Sequence, residues 1–211
     1  MSAGLVTHTV FRRNYTVTGS SQWGDGAYRA GVLMLAGKAR AENCLIVDNP
    51  QSAEVTLVRL EGSATMRNCT IVDSGLSRTN DLCKVFTPLR INSASATVLD
   101  TVVAGVTNTV DGAPCPPTGS VSRFRNGAFD GDVAGRSFPA ETVVGTPASF
   151  FRDRARGDWR PRSGGPLVNA GVNYEPMAGV DLSGVQPRKV GSRVDIGCYE
   201  AFSETTILIL R

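Results

Sequence analysis

Two aspartates close the same short apolar run twice. Asp48 ends Leu45-Ile46-Val47-Asp48 and Asp73 ends Thr70-Ile71-Val72-Asp73, 25 residues further on. If the runs are strands stacked in register, the carboxylates lie roughly 4.8 Å apart and could hold calcium or work as a carboxylate pair. The competing reading makes each an outward turn residue after its strand. A second candidate is the loop GSSQWGDGAYRAG at residues 19–31, which presents Trp23, Asp25, Tyr28 and Arg29. Aromatic faces beside a carboxylate and a guanidinium suit sugar rings, whose apolar faces stack while their hydroxyls hydrogen-bond. Equally, Trp23 and Tyr28 could fold back to pin the loop. A third feature is the arginine cluster Arg152, Arg154, Arg156, Arg160 and Arg162, which would suit phosphate or an acidic glycan. Asp153 and Asp158 lie within it and offset part of its charge, so a solvated loop with internal ion pairs is the alternative.

These side chains are positioned by a repeat. GVLMLAGKARAENCLIVDN at residues 31–49 and TLVRLEGSATMRNCTIVDS at residues 56–74 are copies. A shorter core recurs as His8-Thr9-Val10-Phe11, Asn43-Cys44-Leu45-Ile46, Asn68-Cys69-Thr70-Ile71 and Asp100-Thr101-Val102-Val103, with Val6, Ala41, Met66 and Val98 two residues ahead. The cores are 35, 25 and 32 residues apart, so the core is fixed while the intervening segments vary in length. A unit that recurs in this way buries its apolar face on its own copy. β-Branched runs bounded by Asn, Asp, Gly or Ser read as strands, and a second run (VLML, LVRL, PLRI) precedes each core. Two or three short strands per turn describe a parallel β-helix, an all-β solenoid of about four rungs. Cys44 then stacks on Cys69 and Ile46 on Ile71, with Phe11 ending the same column; Leu45 and Thr70 would face outward. His8 heads its rung where Asn43, Asn68 and Asp100 head theirs, which makes it a turn residue rather than a catalytic one.

The C-terminal third carries five ordered segments: Phe151-Arg152-Asp153, Gly157-Asp158-Trp159-Arg160-Pro161, Gly165-Pro166-Leu167-Val168-Asn169-Ala170-Gly171, Asp181 through Arg188, and Asp195-Ile196-Gly197-Cys198-Tyr199-Glu200. With the repeats, they make the chain resemble bacterial right-handed parallel β-helix repeat proteins whose last part is the closing module of choice-of-anchor surface proteins. Pro161, Gly165, Ser183 and Cys198 depart from that pattern, where leucine, serine, aspartate and alanine are usual. The resemblance implies residues 1–110 as rungs, 111–142 as an irregular connection and 143–211 as the closing module of one domain. It also implies a secreted or bacterial cell-surface location. No particular enzyme follows, because β-helices carry lyases, hydrolases, adhesins and inert stalks alike.

Composition agrees with one folded domain of 211 residues, 41% hydrophobic and 19% charged. No run approaches a transmembrane helix, and residues 1–14 lack the apolar core of a signal peptide. The first rung begins a few residues after Met1 with no visible cap, so the sequence reads as the C-terminal part of a longer protein or a truncated reading frame. An uncapped rung would self-associate. Lys38, Lys84 and Lys189 are the lysines, so arginine supplies most of the 22 basic residues behind the net charge of +3. No nucleic-acid reader motif or aromatic platform accompanies them, so nucleic acid is not an expected partner.

Of the five cysteines, Cys44 and Cys69 read as small buried hydrophobes. Cys83 and Cys115 could form a disulfide in an exported protein, which would leave Cys198 unpaired. One histidine and no paired-cysteine motif at ligand spacing argue against a zinc site, and no cofactor is expected unless a lyase-like site takes calcium. The expected role is a structural or glycan-binding scaffold. The alternative is a carbohydrate-active enzyme, a polysaccharide lyase or glycosidase, centred on Asp48 and Asp73 or on rungs ahead of this chain.

Overall fold

The computed structural model describes residues 4–14, 30–49, 56–73, 87–107, 113–131, 135–175, 177 and 179–201. The chain is all-β. Its first strands are β1 (Leu5–Thr7), β2 (Val10–Arg12), β3 (Ala30–Leu35), β4 (Arg40–Glu42) and β5 (Leu45–Val47). Then follow β6 (Thr56–Leu60), β7 (Thr65–Arg67), β8 (Thr70–Val72), β9 (Thr87–Ile91), β10 (Thr97–Leu99) and β11 (Val102–Ala104). The series ends with β12 (Thr118–Gly119), β13 (Phe124–Arg125), β14 (Ala128–Asp130) and β15 (Val143–Gly145).

These strands make three parallel sheets, ordered β1-β4-β7-β10-β13, β2-β5-β8-β11-β14-β15 and β3-β6-β9-β12. Up to β14, the partner of each strand is the one three further along the chain. The register follows the sequence repeat: Phe11 pairs with Ile46, Ile46 with Ile71, Ile71 with Val103 and Val103 with Phe129. Val6, Ala41, Met66, Val98 and Phe124 form the matching column of the first sheet. Both columns, with Val58, Leu60, Leu89 and Ile91 of the third sheet, bury into one core that also takes Cys44 and Cys69.

The corners explain the polar residue at the head of each core. His8, Asn43, Asn68, Asp100 and Asn126 all have φ between 45° and 50°. Asn and Asp adopt this left-handed region more readily than other side-chain-bearing residues. Their backbone N–H groups continue the ladder, His8 donating to the Glu42 carbonyl, Asn43 to Arg67, Asn68 to Leu99 and Asp100 to Arg125. Asn126 belongs to a further set of strands, β12 to β14, inside the segment expected to be an irregular connection. Its core, Asn126-Gly127-Ala128-Phe129, puts glycine in the slot that Cys44, Cys69 and Thr101 fill elsewhere.

The chain then forms a single helical turn, α1 (Pro147–Phe150), and an antiparallel pair, β16 (Phe151–Asp153) with β17 (Asp158–Pro161). Beyond Pro161 it carries no further strand among the described residues. This C-terminal module corrects one expectation. Leu45 and Thr70 do face away from the first core, but they are 4% and 1% exposed, because the module covers the outer face of the second sheet. Leu45, Val47, Val72, Val102, Ala104 and Ala128 pack there with Phe150, Phe151, Leu167, Ile196 and Cys198 in a second core. Strands of the first sheet, Arg-Ala-Glu and Thr-Met-Arg, bury only their central residue, whereas Leu-Ile-Val, Thr-Ile-Val and Val-Val-Ala bury all three. Near-continuous apolar strands are the pattern of a parallel sheet covered on both faces. Among the described residues, no helix is long and apolar enough to cross a membrane.

Two cores make a testable difference. Leu45→Ala, on the outer face, should destabilise by about 2–5 kcal/mol in urea unfolding, as much as Ile71→Ala on the inner one. A cost below about 1 kcal/mol at Leu45 would mean that the outer face is not packed.

Candidate functional site

The C-terminal module is held by buried polar groups, and the five ordered segments between Phe151 and Glu200 supply nearly all of them. Arg188, 1% exposed, donates through Nη2 to the carbonyls of Asp195 and Gly197, both at 2.8 Å, and its Nη1 lies 3.3 Å from Glu200. Asp195 accepts from the Asn169 and Ala201 amides, and Asp181 from the Glu200 and Ser183 amides. The hydroxyl of Ser183 donates to the same Asp181 carboxylate.

The network docks on the corner column. The Cys198 amide donates to Thr70 Oγ1 at 3.0 Å, the Val172 amide to Asp100 Oδ1 at 2.9 Å and the Gly197 amide to the Asp100 carbonyl at 2.9 Å. Tyr174 donates its hydroxyl to Asn68, and His8 Nε2 donates to the Val180 carbonyl at 3.1 Å. Gly197 sits at φ +110°, and a Cβ there would meet Thr70 Oγ1 at 2.8 Å, so only glycine permits this approach. Burial pushes the Asp100 carboxyl up to about 7, against the pull of the Val172 amide and of Arg188, Arg193 and Arg67.

Where the module meets the open part of the second sheet, a cleft of about 630 Å³ remains. Its floor is Val10, Leu45 and Val47, and Trp159 and Tyr199 flank it. Asp48, Asp73, Arg12, Arg154 and Arg156 supply its charges. Phe151 holds Trp159 edge-on at 5.5 Å between ring centroids, which fixes the indole.

Asp48 and Asp73 come together here as successive residues of a second corner column, with φ of 52° and 44°. Each carboxylate is engaged by arginine. Arg154 donates one hydrogen bond to Asp73, Nε to Oδ2 at 3.0 Å, and its Nη2 lies 2.7 Å from Oδ1 as an ion pair, so it ties the module to the strands. The next position in the column is Gly105, where a Cβ would lie 2.1 Å from Asp73 Oδ1. Asp48 takes the Nε groups of Arg12 and Arg13 at 3.3 and 3.4 Å on a single oxygen.

The remaining arginines of the cluster are distributed locally. Arg160 is chelated by Asp158, whose carboxyl that guanidinium holds low, and Arg156 lies 3.6 Å from Asp153. Among the described residues, no group of three or more His, Cys, Asp or Glu side chains is placed to hold a metal ion. Trp23, Asp25, Tyr28 and Arg29 lie outside the described residues, as does Cys83, which the sequence offered as a candidate disulfide partner of Cys115. Trp159, Tyr199 and Arg12 were not legible as site residues. The two aromatics lie in the segments Gly-Asp-Trp and Gly-Cys-Tyr-Glu, and nothing local to them points to Arg12 or Asp48. The chain matches no protein-family model, no curated protein and no solved structure.

The Asp100 carboxyl sets a pH dependence. Its folded-state value is raised from 3.8 to about 7, so the folded form binds the proton more tightly. The stability this confers is full below about pH 4 and is lost as pH rises through about 7. Asp100→Asn should therefore match the parent at pH 4 and exceed its stability at pH 8 by on the order of 2–4 kcal/mol. Parallel pH profiles for the two proteins in urea unfolding would contradict this.

Proposed function

We propose that the chain is a right-handed parallel β-helix, closed laterally by its C-terminal module, that serves as a secreted or bacterial cell-surface scaffold and binds glycan in the cleft beside that module. Three parallel sheets with partners three strands apart support the β-helix. Use of the five ordered C-terminal segments in docking supports the closing-module reading, and with it the surface location. The observation that carries the binding role is that Trp159, packed edge-on against Phe151, lines one cleft together with Tyr199, the apolar Val10, Leu45 and Val47, and three guanidinium groups. Apolar sugar faces stack on such rings while hydroxyls reach the charged rim. Within this chain the enzymatic reading rests on Asp48 and Asp73, and both carboxylates are already bound by arginine, so no second reading is argued.

A glycan array tests the binding role. The purified chain should be retained on at least one saccharide in the presence of chelator, and Trp159→Ala and Tyr199→Ala should each abolish retention while keeping the parent β-sheet circular dichroism. Retention that survives both substitutions would sink the cleft as the site, and unsaturated product released from a uronic-acid polymer would replace the scaffold with a lyase.

A further inference from the structure

Resting on the glycan-binding reading, we infer that the cleft selects saccharides that carry an oxyanion, a carboxylate or a sulfate ester, and that Arg12 and Arg156 read it. The cleft is lined by three guanidinium groups against two carboxylates. Arg154 is committed to Asp73, through a hydrogen bond from Nε at 3.0 Å and an ion-pair contact from Nη2 at 2.7 Å. The other two are differently placed. Arg12 reaches Asp48 through Nε alone at 3.3 Å and shares that single oxygen with Arg13, so one carboxylate answers two guanidiniums. Arg156 stands 3.6 Å from Asp153, beyond good hydrogen-bond length, with its side chain 87% exposed. The terminal nitrogens of Arg12 and Arg156 meet no acceptor among the described residues.

A guanidinium whose end-on edge is open offers two parallel donors, the geometry that fits carboxylate and sulfate oxygens. Arg12 rises from β2 beside Val10, and Arg156 from the 3-10 turn Arg154–Arg156 just ahead of Trp159. A charged sugar stacked on Trp159 against Val10, Leu45 and Val47 therefore has one donor from the strands and one from the module within the same cleft. A cleft of about 630 Å³ falls in the size range of small-molecule sites, roughly 300–1,000 Å³. Asp48 and Asp73 are given a role by the same geometry: they hold Arg12, Arg13 and Arg154 in place, acting on the ligand through those arginines.

The test uses the full chain and three polymers, polygalacturonate for carboxylate, dextran sulfate for sulfate ester and dextran as the neutral probe, in affinity electrophoresis at low and high salt. Two double variants of equal charge are compared: Arg12→Gln with Arg156→Gln in the cleft, and Arg123→Gln with Arg136→Gln on exposed surface outside it. The expected result is retention by at least one anionic polymer that weakens with salt, and which of the two is retained identifies the oxyanion. The cleft pair should lower affinity at least about tenfold and the surface pair by less than about threefold. Unchanged melting temperatures separate loss of binding from loss of fold. Equal losses in both pairs would reduce the effect to diffuse charge and overturn the inference. Dextran retained as tightly as the charged polymers, in a manner sensitive to Trp159→Ala, would also overturn it while the glycan reading stands. Failure to retain any polymer here, together with an empty glycan array, would remove both.

Discussion

A parallel sheet with apolar side chains on both faces cannot leave either face in water. In this chain the second sheet meets that condition, because β5, β8 and β11 are buried at every position. One face is covered by the other two sheets. The other depends on the C-terminal module, which contributes Phe150, Phe151, Leu167, Ile196 and Cys198. A hydrophobic cover is non-directional, so the place where it settles is fixed by hydrogen bonds at the edge of the sheet. The corner column supplies them. Residues chosen for a left-handed backbone, His8, Asn68 and Asp100, turn their side chains to the module, and the module answers with backbone amides, a tyrosine hydroxyl and a carbonyl.

The cleft follows from where this cover stops. The module reaches Asp73 through Arg154 but leaves Val10 of β2 half exposed. At that boundary the second sheet still offers an apolar floor, and the module offers Trp159 and Tyr199 from its own packed side. Charge collects there because both corners end in aspartates that need counter-ions. The cleft and the fold thus share residues, and Asp73 serves the fold through Arg154.

The repeat was legible because its corners demand a special backbone. Asn43, Asn68 and Asp100 mark left-handed turns, and once they are aligned the inward columns through Ile46, Ile71 and Val103 follow by counting. The set at Asn126 was harder to see, since its strands are two or three residues long and Gly127 replaces the small apolar residue of the other cores. The outer core was present in the sequence as a contrast, Arg-Ala-Glu against Leu-Ile-Val. Assuming one solvated face for every strand hid it, and so Leu45 and Thr70 were read as exposed. The site was legible only in half. Asp48 and Asp73 stood out by their equivalent positions, but their partners did not: Arg154 is 81 residues from Asp73, and no local pattern encodes a pairing at that range.

The central claim is that the module is an integral cover for the second sheet. Native-state hydrogen exchange reads this directly at the amides of Ile196, Gly197 and Cys198, which donate to Leu167, Asp100 and Thr70. Docking as described predicts that these three amides exchange as slowly as those of Val102 and Ala128 in the sheet beneath, through the same global opening. Exchange at rates near those of an unfolded chain, with the sheet amides still protected, would mean that the module does not cover the sheet and that the second core does not exist.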